Sequence, residues 1–406
     1  MENGQNNFAT KAALNACHTM LVADNHRAVL EWAEQARSLA LAEGNLEFLG
    51  DSFYFRSRAQ YHSQDLSDED ALDSIQLARS SMREAGVVTK VAKIDDFSAS
   101  ILQALGRHPA AAEALRDCLT FARETGSERE ISYALNRYAD VLRKQREFDK
   151  AEKLHLECRE IARRQKFFRR LADSEFGLSI CYKNTRKLDE AVEAAYVARA
   201  LYDYLGLDNY VARCDDTLSD IYWRKEEFNR AIQANRKVIS YSETNPDWNW
   251  YEYISRTRIA ENYYHMKLLD ECEKTLDEPH SNQEYEAPII GLIARLYLRA
   301  RIASDKGLWT EAKAFAEEAI ELTNQDEDHI NFRTPWLYEI IGLELERRGD
   351  STAAKFFTEA TALHLTFGND DHAREVAKRL LPKPPLLPEI ADNELEEDSP
   401  GNVLFD

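Results

Sequence analysis

The sequence predicts an all-α protein, a solenoid of about nine helical hairpins, and three observations carry that expectation. Only 14 of its 406 residues are Gly and 10 are Pro, too few for a turn-rich β fold, while 44% are hydrophobic, enough for a core. The stretches FDKAEKLHLEC at 148–158, LDEAVEAAYVA at 188–198 and FNRAIQANRKV at 228–238 are self-similar at a spacing of 40 residues, as in an array of stacked repeats. Within a repeat, apolar residues return at helical intervals, as in Leu188, Ala191, Ala194, Ala195 and Ala198, and turns such as 106–109, 184–186 and 349–350 divide it in two.

Residues 1–7 are expected to be disordered, and the hairpins to run over 8–368. The second helices carry one column: Val29, Ala71, Ala111, Ala151, Ala191, Ala231, Cys272, Ala312 and Ala354. Twelve residues before each member the first helices carry Cys17, Ala59, Ala99, Ala139, Ser179, Ser219, Ala260, Ala300 and Gly342, all small. Nine residues before the first column stand mostly bulky side chains, among them Met20, Leu142, Tyr182, Tyr222 and Leu345. Small residues let two helix backbones approach, and large ones fill the space beside them.

The seventh repeat is irregular. Its first helix opens on NPDWNWYEY at 245–253, where some of the rings Trp248, Trp250, Tyr251 and Tyr253 are expected to fill contacts between hairpins, the alternative being an aromatic platform for a ligand or base, and its second helix meets Pro279, which marks a change of curvature or a hinge. Residues 369–381 read as a capping helix, acidic at its start and basic near its end as the helix dipole favours. The Pro-rich, acidic stretch 382–406 is expected to be disordered.

These columns resemble tetratricopeptide (TPR) repeats. Leu218-Ser219-Asp220-Ile221-Tyr222 followed by Phe228-Asn229-Arg230-Ala231-Ile232 matches the signature, as do Leu178-Ser179 with Tyr182 and Leu188-Asp189-Glu190-Ala191. The period of 40 to 42 exceeds the usual TPR value of about 34, and the Trp and Pro of the standard form are missing. The chain is thus similar to the long-helix variety found in kinesin light chains and in bacterial MalT-like and Rap-like regulators. That resemblance implies a right-handed superhelix whose first helices line a concave groove for protein or peptide segments.

Composition narrows the function classes. A net charge of −20 argues against general affinity for nucleic acid, and no apolar run approaches the roughly 18 residues of a membrane span. With no secretory pattern at the start, a cytoplasmic protein is expected. The sequence has no phosphate-binding glycine loop, HExxH, GxSxG or paired-cysteine metal motif, so no cofactor, no metal and no enzymatic activity are expected. The six cysteines lie at scattered helical positions and read as reduced, buried thiols, and His155 reads as a satisfied core histidine.

Counting back from the alanine column places Tyr133, Asn136, Asp140 and Arg143 of the fourth repeat in the groove. The same count adds Lys183 and Asn184 of the fifth, Arg213, Asp216, Asp220 and Trp223 of the sixth and Tyr264 of the seventh. Amides and charges there suit a peptide backbone and aromatics suit its side chains, although such groups can also pair with one another between hairpins. Asn136 falls where chaperone-binding TPR domains place a carboxylate clamp, but Phe176 and Asp216 stand where that clamp wants an amide or a cation.

The segment RRQKFFRR at 163–170 concentrates Arg163, Arg164, Lys166, Arg169 and Arg170 at the turn between the fourth and fifth hairpins. Phe167 and Phe168 are expected to anchor that turn, leaving the cations outside the stack as a basic patch, which reads equally as solvated surface charge or as a site for an acidic protein segment, with single-stranded nucleic acid a lesser alternative. One acidic segment is the chain's own tail, with Glu389, Asp392, Glu394, Glu396, Glu397 and Asp398, and with Leu386-Leu387 or Leu404-Phe405 as apolar anchors; it could fold back and compete with an external partner. The reading is a non-enzymatic, protein- or peptide-binding adaptor or scaffold. The alternatives are a peptide-responsive regulator that changes shape, and a constitutive subunit of a larger complex.

Overall fold

The computed structural model describes residues 2–63, 66–125, 127–282, 285–325 and 332–380, so the tail from 382 lies outside the described residues. The described residues hold nineteen α-helices and no strand, in two compact units divided between Tyr285 and Glu286.

The first unit contains seven hairpins: α1 (Glu2–Val22) with α2 (His26–Glu43), α3 (Leu46–His62) with α4 (Asp68–Glu84), α5 (Val88–Ala104) with α6 (His108–Thr125), and α7 (Glu128–Lys144) with α8 (Phe148–Gln165). It continues with α9 (Phe168–Asn184) and α10 (Leu188–Tyr204), α11 (Asp208–Arg224) and α12 (Phe228–Ser242), and α13 (Asn249–His265) and α14 (Leu269–Asp277). The second unit pairs α15 (Ile289–Asp305) with α16 (Trp309–Thr323) and α17 (Thr334–Arg347) with α18 (Ala353–Thr366), and α19 (Asp370–Ala377) packs on α18. One boundary differs from expectation: α1 is helical from Glu2, no proline interrupting the chain before Phe8.

The small-residue seams hold the hairpins together. Cys17, Ala59, Ala99, Ala139, Ser179, Ser219, Ala260 and Ala300 are at most 1% exposed, and the second-helix column is fully buried from Val29 to Ala312. The last hairpin departs from the register. Ala353 and Ala360 are buried whereas Ala354 is exposed, because the connection from Leu345 is one residue shorter than in the regular repeats. At Gly342 an added Cβ would lie 2.8 Å from the Phe357 ring, so the glycine makes room for the largest side chain of that core.

His155 is buried as expected but not satisfied: it is 0% exposed, and neither ring nitrogen has a hydrogen-bond partner. It packs against Gly177 of α9, where a Cβ would come within 2.2 Å of Nε2. All six cysteines are buried and free. No described helix is long and apolar enough to cross a membrane.

The irregular seventh hairpin is fastened by a buried carboxylate. Glu252 accepts 2.9 Å bonds from Arg256 Nε and the Ser281 backbone N–H, and Arg256 also reaches Glu278 at 2.7 Å. Burial alone would raise the Glu252 carboxyl, but the Ser281 and Arg256 donors outweigh it and hold it below the ordinary range. Trp248 stacks on Tyr251 at 4.3 Å and meets Tyr241 edge-on at 4.9 Å, while Tyr253 is buried; only Trp250 of the four rings is more than a third exposed.

Within the first unit successive first helices touch, α1 with α3, α5 with α7, α7 with α9 and α9 with α11. They form the inner face on which the predicted groove residues fall.

Candidate functional site

On α9, α11 and α13 the groove residues are largely engaged with one another. Lys183 pairs with Asp220 at 2.6 Å, Asp220 also accepts from Arg224 at 3.1 Å, and Asp216 is bonded by Arg258 from the next hairpin. Burial would raise the Asp220 carboxyl, yet Lys183 and Arg224 outweigh it and hold it low. Arg213 lies over the Phe176 and Tyr210 rings at 5.4 and 5.6 Å, and Asn184 donates to the Ile180 carbonyl at 2.8 Å. Tyr264 is buried, and Trp223 is 40% exposed with its edge on His265. On α7, Asp140 pairs with Arg143 in its own helix at 3.4 Å, and Asn136 is buried with its side-chain oxygen unpaired. Contacts within and between hairpins therefore account for most of this stretch.

The open part of the inner face lies nearer the N-terminus. A cavity of about 1210 Å³ is walled by Tyr54 and Arg58 of α3, Lys93, Asp96 and Phe97 of α5, Arg129, Glu130 and Tyr133 of α7, and Phe168, Arg169 and Arg170 of α9. That volume exceeds the upper end of about 1,000 Å³ usual for small-molecule sites. The walls carry five cations against two carboxylates, on a chain of net charge −20.

One of those carboxylates is already neutralised: Asp96 accepts from the Tyr133 hydroxyl and from Arg137 Nε, both at 2.8 Å. Burial, reinforced by Asp96, pushes the Tyr133 hydroxyl up to about 12, so it remains a donor. Arg58 sits 5.9 Å from the Tyr54 and Phe97 ring centres. Among the described residues, neither Lys93 nor Arg129 forms an ion pair or a side-chain hydrogen bond. Cys118 borders the cavity, but burial pushes its thiol up to about 12, which leaves a poor nucleophile. The arrangement offers cations and aromatic faces for non-covalent binding.

The basic segment divides into two groups, a correction to the reading of one outward patch. Arg163 and Arg164 do face out and are met by Glu160 and Glu128, while Lys166 turns the chain in the left-handed conformation at φ 58°. Arg169 and Arg170 instead face the cavity. Both bond Asp173, at 2.9 and 3.1 Å, and Arg169 lies 4.0 Å from the Tyr210 ring centre and Arg170 4.9 Å from that of Tyr133. Phe168 is 42% exposed at the cavity wall and does not anchor the turn. The cause is helix phase: α9 starts at Phe168, so the next residues point with its first turn toward α7.

Of the predicted groove residues, only Tyr133 borders the cavity. The missed ones lie either one helical turn earlier in the register or in the second and third repeats. Twenty-two positions before the alanine column come Thr89, Arg129 and Arg169, and eighteen before it come Lys93 and Tyr133.

Paired helices with small-residue seams, repeated at about forty residues, are the fold of TPR-like repeat proteins of the long-repeat variety. No family model matches the sequence. The TPR repeat-containing protein YpiA of Bacillus subtilis is 22% identical over 130 residues, 32% of this chain, and the match spans 28% of YpiA's length. Among solved structures, the chain is similar to a signal-transduction ATPase with a tetratricopeptide repeat sensor from Pyrococcus horikoshii, with TM-score 0.62 and 14% identity, covering 92% of this chain and 55% of that one. The apo form of RapI gives 0.51 at 14% identity over 67% of this chain and 96% of its own. The apo quorum sensor NprR of B. thuringiensis gives 0.50 at 11% identity, covering 91% and 97%.

Proposed function

We propose that the protein is a non-enzymatic, peptide-binding adaptor or regulatory scaffold that holds an acidic, partly apolar segment of a partner in the cavity between α3 and α9. The observation that carries this reading is the pair of cations outside any ion pair among the described residues, Lys93 and Arg129, beside aromatic faces in a cavity of about 1210 Å³. Carboxylates of an incoming chain would meet guanidinium groups able to bond them in pairs, and its apolar side chains would lie on Tyr54, Phe97 and Phe168. A second reading, a regulator whose hairpins shift when a peptide binds, draws support from walls contributed by four successive hairpins, since an occupant touching all of them alters their packing.

Selection from a random peptide library on the full chain is expected to return segments with two or more acidic residues and an aromatic or aliphatic neighbour. Their binding should weaken with salt, and by about a hundredfold in an Arg129→Glu/Arg170→Glu variant, as two reversed contacts imply. Selection of basic or uncharged peptides, or equal binding by the variant, would overturn the assignment.

The acidic tail matches this chemistry and would act as an internal competitor. At an effective concentration on the order of 1 mM, a tail segment with a Kd of about 0.1 mM would weaken an external peptide about tenfold. Deleting 382–406 should restore that factor in a fluorescence-anisotropy titration, and an unchanged Kd removes the tail from the mechanism.

A further inference from the structure

The second unit holds a cluster that the cavity does not use. Glu339 of α17, His364 of α18 and His372 of α19 each bring a ligand atom within 4.8 Å of the other two. His372 Nε2 lies 2.9 Å from Glu339 Oε2, and His364 Nε2 lies 3.9 Å from the same oxygen. Trp336 packs against both imidazoles, at 4.9 Å from His364 and 4.1 Å from His372, and fixes their planes.

A second observation points to a ligand. His364 is 0% exposed, and its Nε2, directed into the cluster, has no hydrogen-bond partner. Leaving a buried ring nitrogen unpaired costs stability unless something else binds it. Its other nitrogen, Nδ1, lies 3.5 Å from the Asn369 side-chain amide. With that amide turned to present its oxygen, it would accept from Nδ1–H and leave the Nε2 lone pair free for a cation.

We propose that Glu339, His364 and His372 form a divalent-cation site, with Zn²⁺ as the ion the donors favour. Two imidazole nitrogens and one carboxylate oxygen are a zinc donor set, and bonds of about 2.0–2.1 Å in a tetrahedron put ligand atoms about 3.3 Å apart. The observed 2.9 and 3.9 Å separations bracket that value. The side chain of His372 is 33% exposed, which leaves the fourth position open to water. Because the three ligands come from three helices, the ion would fasten α19 to the last hairpin. For the same reason no short sequence motif announces it.

The test is calorimetric titration of the metal-stripped full chain with Zn²⁺, paralleled by visible spectra with Co²⁺, on wild type, His372→Ala and Glu339→Gln. The expected result is one equivalent bound with a micromolar or tighter Kd, weakened at least about tenfold by either substitution. Co²⁺ should give the intense visible bands of four-coordination in wild type and lose them in His372→Ala, and Zn²⁺ should raise the Tm of wild type alone. Absence of stoichiometric binding, or equal binding by wild type and both variants, would overturn the site. Glu339→Gln preserves shape, so the comparison holds even if His372→Ala fails to fold.

Discussion

Lowering the pH from 7 to 4 should cost the protein about 3 kcal/mol of stability through His155 alone. The imidazole is 0% exposed, and neither ring nitrogen has a partner. Burial pulls its pKa from 6.5 to about 4; Asp140 acts against that shift and Arg143 adds to it. Between those two values the unfolded chain carries a proton that the folded one refuses, so stability rises with pH across the window and is lost as pH falls from 6.5 toward 4. At about 1.4 kcal/mol per pH unit the loss reaches about 3 kcal/mol. Carboxylates held low, such as Asp220 and Glu252, lose their contribution only below the ordinary carboxylate range. Urea unfolding of wild type and His155→Leu at pH 7, 5.5 and 4 separates the two effects. The stability difference between the proteins should change by about 3 kcal/mol in favour of the leucine variant. A constant difference would mean that His155 is protonated or hydrated in the folded state.

Phe357→Ala should cost about 4 kcal/mol, the largest single loss expected in the second unit. The ring is 2% exposed, fills the space that Gly342 leaves open, and lies 5.7 Å beneath the Arg379 guanidinium. Removing it leaves a cavity between α17 and α18 that neither glycine nor alanine can refill. Urea unfolding followed by tryptophan fluorescence, with Trp309 and Trp336 as local reporters, measures the cost. A loss below about 1 kcal/mol would show that other contacts hold this hairpin.

Much of the fold was legible because its periodicity is physical. Each second helix needs a small residue where it crosses the first, so Ala111, Ala151 and Ala191 recur and locate every helix around them. The last hairpin escaped because its turn is one residue shorter, which moves burial from Ala354 to Ala353 without disturbing the local pattern. The site was less legible. Position on the inner face follows from the register, but whether a charged side chain there is free depends on its neighbour forty residues away. Asp216 and Lys183 are spoken for by Arg258 and Asp220, whereas among the described residues Lys93 and Arg129, also on the inner face, form no ion pair. The split of the basic segment likewise depends on the residue at which α9 begins, and no charge count reveals that. The Glu339–His364–His372 cluster spans three helices and has no sequence spacing of its own.

The most direct test of the central claim is to locate a bound peptide. A selected acidic peptide carrying a benzophenone would be photo-crosslinked to the full chain, and the attachment points read by mass spectrometry. The predicted result is crosslinks within 54–58, 93–97, 129–133 and 168–170. Crosslinks confined to α11 and α13, around Arg213, Trp223 and Tyr264, would contradict it and return the site to the groove that residue counting alone had favoured.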